Sequence, residues 1–370
     1  MAYTPTIRYA IGQVRLNLAD LGITRQPGRT REHGEHRPEP DAPLVLVACS
    51  GGRDSLALAS VCATVCGTLG VRCGAVIVDH ALIAGSAQVA ERAAEQCRSF
   101  GMDPVIVRRV IVELSGVGVE AAARDARYQA LQESARETGA AAVLLAHTRD
   151  DQAETVLLGL FRTMGLDALA GMPTTIDRDG VTFSRPFIGL TRGQTTEICR
   201  TLDIDWWDDP SNGDRSADEG GLSTDLPLRS RIRNALLPYL IHFVDADLVD
   251  HLSRSARIAQ RDKDYLDSCA AEAYGRAVRI EQAAEADSAG ISVHIDVREL
   301  ADEHAAIRSR VIARAAADTG IEISSRQVEA IDDLIHDWHG QGGVRLSRGY
   351  LAIRQRHVIH LCHDGMHENR

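Results

Sequence analysis

Leu44-Val-Leu-Val-Ala-Cys49 runs directly into Ser50-Gly51-Gly52-Arg53-Asp54-Ser55, and a helical pattern follows from Arg53 to Leu69. A short continuous apolar run bounded by a turn signal reads as a buried strand. Paired glycines let the backbone turn tightly and come close to a bulky anion. The free N–H groups at the helix start then point at that anion, helped by the helix dipole. Ser50 and Ser55 add hydroxyl donors. Asp54 falls in the first helical turn, where a carboxylate can hold Mg2+ against phosphate oxygens. No Gly-Lys-Ser/Thr follows, so this is not a Walker loop. A plain glycine turn with a Ser cap and a dipole-stabilising Asp explains an isolated Ser-Gly-Gly, but explains all six residues between strand and helix less well.

Outward from this loop the pattern repeats. Apolar runs at 74–78, 104–110, 142–146 and 181–185 alternate with helical stretches at 86–101, 120–138, 150–161 and 194–202. Such alternation predicts an α/β fold, a doubly wound parallel five-stranded sheet with helices on both faces. Ligands of such sheets bind at the carboxyl ends of the strands. Ahead of it, Ile7, Ile11, Val14, Leu18 and Leu21 are spaced for a helix, and the polar, Pro- and Gly-containing stretch 25–41 reads as a flexible linker. Residues 213–227, polar, glycine-rich and acidic, read as a mobile surface loop. After Pro238 the character changes to a smaller α+β domain, with helices at 247–284, 305–319 and 325–338, a strand at 291–295, and short strands over 344–361. The expected domains are therefore 1–42 (helix and linker), 43–240 (catalytic), 241–325 (substrate-binding) and 326–370 (a small C-terminal extension).

The 370-residue chain is 44% apolar and 25% charged, ordinary values for a soluble globular protein. Its net charge of −11 argues weakly against a nucleic-acid partner, but local clusters matter more than the total. Arg229, Arg231 and Arg233 form one such cluster; Arg254, Arg257, Arg261 and Lys263 form another. None of the eight cysteines forms a Cys-x-x-Cys pair, and no His spacing completes a zinc site. They read as reduced thiols of a cytoplasmic protein. No apolar run is long enough to span a bilayer, so no membrane partner is expected.

SGGRDS resembles the pyrophosphate loop of the N-type ATP pyrophosphatases, which cleave ATP between the α and β phosphates and attach AMP to an oxygen. Further motifs resemble one branch of them, the tRNA(Ile)-lysidine synthetases. Val78-Asp79-His80 is similar to the start of VDHGLR, which in that family lies beside the adenine, but continues Ala81-Leu82-Ile83 here. Glu120 through Tyr128, with Arg124 and Arg127, resembles E-x-x-AR-x-x-RY. His147-Thr148-Arg149-Asp150-Asp151-Gln152-Ala153-Glu154-Thr155 resembles HHxDDQxET, with Thr148 replacing the second His. Arg162 to Met172 resembles RGSG…GLAGM, departing at Thr163-Met164. Trp207 to Asn212 resembles W-x-DPSN, and Arg229 to Pro238 resembles RNRIR…LLP.

The resemblance implies an adenine-nucleotide hydrolase-like catalytic domain. ATP would be bound by Ser50, Gly51, Gly52, Arg53, Asp54, Ser55, Val78, Asp79 and His80, with Mg2+ on Asp54. The catalytic set would be Asp54, Arg124, Arg127, His147, Asp151 and Glu154. Asp151 and Glu154 share a helix face and could surround the ammonium of free L-lysine, although acidic first-turn residues also stabilise a helix dipole. Arg229, Arg231 and Arg233 would contact the tRNA. The implied reaction ligates lysine to the 2-carbon of the wobble cytidine in CAU-anticodon tRNA(Ile), through an adenylated base, changing codon reading from AUG to AUA. A homodimer is left open. The alternative is a tRNA thiolase of the same superfamily, which usually needs a reactive Cys pair or an iron–sulfur cluster.

Overall fold

The five apolar runs become five parallel strands. The computed structural model describes residues 3–26, 38–81, 85–111, 119–208, 226–282 and 291–363. By its internal contacts the chain divides into two compact units, Met1–Gln260 and Arg261–Arg370.

In the first unit, α1 (Pro5–Asp20) precedes β1 (Leu44–Ala48), α2 (Arg53–Leu69), β2 (Arg72–Asp79), α3 (Ser86–Ser99), β3 (Val105–Arg109) and α4 (Val119–Thr138). Then come β4 (Ala142–Leu144), α5 (Arg149–Arg162), α6 (Leu166–Leu169), β5 (Thr175–Arg178), β6 (Val181–Ser184) and α7 (Arg192–Thr201). The sheet order is β3-β2-β1-β4-β6-β5. The first five in that order pair in parallel, as expected, and β5 adds an antiparallel edge strand that the sequence reading lacked. The pleat of β1 explains why both faces are covered. Val45 and Val47 join the core with α1, α2, α3 and α7, whereas Leu44 and Leu46 join the opposite core with Tyr128 and Leu131 of α4. The N-terminal helix is not a separate piece ahead of the catalytic domain. Ile7, Ala10, Val14 and Leu18 are buried in the main core, and Asn17 Nδ2 donates to Ser184 Oγ at 2.7 Å. Most of the 25–41 linker and of the 213–227 loop lies outside the described residues.

Chain order reverses between β1 and β4: β2 and β3 extend to one side, β6 and β5 to the other. At such a switch point the loops leaving adjacent strands diverge and open a crevice. The loop after β1 is Ser50–Ser55, and the turn after β4 leads through His147 into α5.

The first unit continues through α8 (Leu228–Arg231), a π-helical turn (Ile232–Leu236) and α9 (Leu237–Val244). The π turn has a local cause. Pro238 has no N–H for the Asn234 carbonyl, and Leu237 N–H bonds the Ile232 carbonyl, five residues back.

The helix α10 (Leu248–Ala277) carries the chain into the second unit. There β7 (Val278–Gln282), β8 (Ile291–Asp296), β9 (Val344–Arg345), β10 (Tyr350–Gln355) and β11 (Val358–His363) form one antiparallel sheet, ordered β7-β8-β11-β10-β9. It shares a core with α11 (Ala305–Ala317) and α12 (Ser325–His336). Two expectations change here. Helix was expected through 284, but 278–282 is strand. Residues 326–370 were expected as a separate extension, but β11 pairs with β8, and Ile359 and Leu361 pack with Val293 and Ile295 in one core. Among the described residues no helix is long and apolar enough to cross a membrane.

Candidate active site

The Ser50–Ser55 loop is braced by its own hydroxyls. Ser55 Oγ accepts from Ser50 N–H at 3.1 Å and donates to the Gly52 carbonyl at 2.8 Å, while Ser50 Oγ lies 3.2 Å from it. Gly51 holds φ +79°, a backbone region that favours glycine. The N-cap of α2 is Gly52, with no side-chain cap, so the helix start keeps N–H donors for an anion. Trp207 N–H bonds the Gly51 carbonyl at 3.0 Å, holding the loop from outside. The rest of the Trp207–Asn212 motif, from 209 onward, lies outside the described residues.

Asp54 is one-quarter exposed and leaves the first turn of α2. Burial pushes its carboxyl above the usual value, and the Thr195 hydroxyl, which donates to it, and Arg192 work against that push. Its oxygens suit Mg2+, which characteristically takes one or two carboxylates and completes its shell with water and substrate phosphates. Among the described residues no cluster of three His, Cys, Asp or Glu could form an all-protein metal site. A lone carboxylate in the first turn behind a phosphate loop is a donor set that fits a metal held jointly with phosphate oxygens.

Across the crevice, Thr148 caps α5. Its backbone N–H bonds Asp151 Oδ2 at 2.8 Å, and Asp151 N–H returns a bond to Thr148 Oγ1 at 3.4 Å. The Thr that replaces the second His of the motif is therefore a helix cap, and Asp151 has a structural as well as a site-facing oxygen. Its other oxygen, with both of Glu154, faces three guanidiniums. Arg192 Nη2 lies 3.3 Å from Asp151 Oδ1 and 3.2 Å from Glu154 Oε1. Arg229 Nε lies 2.9 Å from Glu154 Oε2, and Arg233 straddles Glu154 with Nε and Nη2 at 2.8 and 3.0 Å. The Glu154 side chain is fully buried. Burial alone would raise both acids, but Arg229 and Arg192 hold Asp151 far below the usual carboxylate range, and Arg233 holds Glu154 below it. Both are anions at neutral pH.

The other expected residues distribute as follows. Val78, Asp79 and His80 end β2. Asp79 Oδ1 accepts from Ala81 N–H at 2.9 Å. Ala81, which stands where the family motif has Gly, holds φ +52°, the left-handed region a glycine would adopt without strain. Burial and the charge of Arg127 lower the basicity of His80. His147 is pushed down to about 3, by burial first and by Arg185, Arg127 and Arg229, with Asp151 opposing, so it is a neutral imidazole at pH 7. Its Nδ1 is buried with no hydrogen-bond partner among the described residues, as are Nε of Arg53, Arg185 and Arg231. Arg124 and Arg127 lie by Tyr128, 5.1 and 5.9 Å from its ring centre, and have no ion pair with Asp151 or Glu154 among the described residues. Arg229 and Arg233, expected on tRNA, face the carboxylates; Arg231 does not join them. Arg192 and Thr195 escaped the sequence reading. Their signal was the capping box Thr191-x-x-Gln194 that starts α7 beside the site.

With this geometry in place, comparisons with known proteins are informative. Residues 30–240 match the PP-loop domain, and residues 295–360 match the TilS substrate binding domain. The chain is 52% identical over 390 residues to the tRNA(Ile)-lysidine synthase of Bifidobacterium longum subsp. infantis, covering all of both chains. It is 42% identical over 319 residues to that of Streptomyces coelicolor, covering 85% of this chain and 84% of the relative. Among solved structures, the U34-tRNA thiolase NcsA of Methanococcus maripaludis aligns with a TM-score of 0.50 at 14% identity, over 69% of this chain and 79% of that one. That likeness is one of fold alone. A phosphate loop and an acidic pair at one sheet crevice, a matched PP-loop domain and full-length curated relatives lead to one conclusion: the chain belongs to the tRNA(Ile)-lysidine synthase family.

Proposed function

We propose that the chain joins free lysine to the wobble cytidine of CAU-anticodon tRNA(Ile), consuming ATP, and so turns an AUG reader into an AUA reader. The observation that carries the reading is the convergence of an uncapped phosphate loop and a buried anionic pair at one strand crossover. The phosphate side serves adenylation. The 2-carbonyl oxygen of cytidine attacks the α-phosphorus of ATP, a P–O bond forms, and pyrophosphate leaves. Loop N–H groups, Ser50, Ser55 and Arg53 orient the phosphates, and Asp54 would hold Mg2+, which supplies charge neutralisation when bound. The anionic side serves amine capture. Asp151 and Glu154 attract the lysine ammonium, a carboxylate of the pair takes its proton, and the freed amine attacks C2. A C–N bond forms and AMP leaves. For this, Arg229 and Arg233 must give way to the substrate ammonium, and RNA phosphates are natural partners for them and for Arg231. The cytidine leaves its stack to reach the crevice. The second unit, which holds the match to a substrate-binding domain, would supply further tRNA contacts. The thiolase alternative rests on fold likeness alone.

Asp151→Asn tests the division of labour, because an amide oxygen can still accept from Thr148 and keep the α5 cap. With radiolabelled ATP and tRNA, the variant accumulates adenylated tRNA and transfers lysine about 100-fold more slowly. A variant that fails to adenylate yet binds lysine normally would make Asp151 an ATP or metal ligand instead.

A further inference from the structure

No motif points to Arg192, yet its side chain reaches three carboxylates of the site. Nη2 contacts Asp151 and Glu154, and Nε lies 3.8 Å from Asp54 Oδ2. Arg229 and Arg233 also pair with Asp151 and Glu154. Arg192 spans from the phosphate loop to the acidic pair, and its side chain is only 18% exposed.

Its backbone is fixed to both sides as well. Arg192 opens α7 behind the Thr191–Gln194 capping box. Its N–H donates to Asp150 Oδ2 on α5 at 2.8 Å. Its carbonyl lies 2.9 Å from Thr195 Oγ1, and the Thr195 hydroxyl donates to Asp54 on α2. One turn later, Cys199 Sγ donates to the Arg53 carbonyl at 3.4 Å. The first turns of α7 therefore clamp α2 and α5 at the point where their acidic residues meet.

We propose that Arg192 is a positioning residue for both half reactions, its planar fork fixing Asp54 on the ATP side against Asp151 and Glu154 on the amine side. The proposal rests on the two-sided reading above. Charge supply alone does not require this residue, since Arg229 and Arg233 already neutralise the acidic pair and Arg53 lies 3.7 Å from Asp54. What Arg192 adds is the link. A lysine is a single point charge on a flexible stem and cannot engage both sides at once.

The test uses full-length Arg192→Gln and Arg192→Lys with a CAU-anticodon tRNA(Ile) transcript. Adenylation is followed at saturating ATP without lysine, and transfer by adding lysine to preformed adenylated tRNA. ATP affinity and melting temperature are measured alongside. Both rates are expected to fall about 10- to 100-fold in Arg192→Gln, since small misplacements of reacting groups cost this much. ATP affinity and the KM for lysine should move less than about threefold, the mark of a loss confined to the transition state. Arg192→Lys should recover neither rate. A fall in one half reaction alone overturns the proposal, as does full recovery by lysine, or a loss of rate matched by a loss of melting temperature. Asp151→Asn run in parallel separates two failures. If it does not accumulate adenylated tRNA, the amine-side assignment falls and this proposal with it. If it does, and Arg192→Gln keeps both rates, only the role of Arg192 falls.

Discussion

Arg308 and Asp332 in the second unit, and the arginines around Glu154 in the first, are both buried ion-pair systems, but they are assembled differently. Arg308 on α11 meets Asp332 on α12 fork to fork, with Nε and Nη2 at 2.6 and 2.8 Å from separate oxygens, while Nη1 donates to the Glu303 carbonyl at 2.7 Å. All three nitrogens of that guanidinium are used, and the pair ties two helices of one core together. At Glu154, three guanidiniums from two distant segments crowd two carboxylates, and several contacts stretch to 3.3–3.5 Å. A fork-to-fork pair is an end state. In a crowded, shared arrangement each acid contacts more than one guanidinium, so losing one leaves it paired. The first arrangement suits a scaffold, the second a place where charged substrates come and go.

The largest effect is expected at the edge of the crowded site. Asp54→Ala should reduce tRNA-dependent pyrophosphate release by roughly 1,000-fold while the protein stays folded. Near-normal release by a folded variant would remove Asp54 from the phosphate side. The comparison itself is broken or sharpened by two truncations. Arg308→Ala removes the fork from Asp332, leaving it beside His336 at 3.5 Å, and should cost about 3 kcal/mol in urea unfolding of the full chain. Arg229→Ala leaves Arg192 and Arg233 on the same acids and should cost only about 1–2 kcal/mol. Equal losses would mean that the crowded site is a scaffold too.

A further effect is a pH slope. An imidazole in the unfolded chain takes up its proton near about 6.5. In the folded chain His147 does so only near about 3, chiefly because it is buried. As pH falls below about 6.5 the unfolded state gains a proton that the folded state refuses, so stability drops, by about 2 kcal/mol at pH 5. The depressed carboxylates Asp151 and Glu154 act in a lower window. Their stabilisation is full above the ordinary carboxylate value and is lost only as pH falls below it toward their folded values. Urea unfolding at pH 7 and pH 5 of the parent and of His147→Asn isolates the histidine. The difference between the two pH values should shrink in the variant, and an unchanged difference would show that the folded imidazole already accepts the proton.

The parts of the molecule that could be read in advance are those where one physical signal dominates. Five parallel strands were legible because strands buried on both faces become unbroken apolar runs. Strand β5, Thr-Ile-Asp-Arg, was not, because an edge strand with an exposed side carries no such run. β7 was missed because Gly275 lies inside α10, and the helix runs straight into Val278 with no turn residue between them. In the site, glycine chemistry and the spacing of Asp151 and Glu154 were visible, since both are local. The cations that meet them come from residues 192, 229 and 233, and no window of sequence displays a pairing across 38 to 82 positions. Arg192 had only its helix cap to announce it.

The π turn at Ile232–Leu236 sets the phase of everything after it. Ile232 and Leu237 are both buried in one cluster with Ala153 and Leu157 of α5. In a regular α-helix residues five apart diverge by about 140° around the axis, so the two could not both face α5. Widening one turn brings them into line, and Leu237 N–H bonded to the Ile232 carbonyl records that alignment. The same widened turn contains Arg233, which meets Glu154 beside that apolar seam. Removing one residue between 232 and 237 would rotate α9 by about a quarter turn against the first part of the segment. The seam would then have to choose between its two anchors, and a change in apolar packing would be felt as a change in which arginine stands over Asp151 and Glu154.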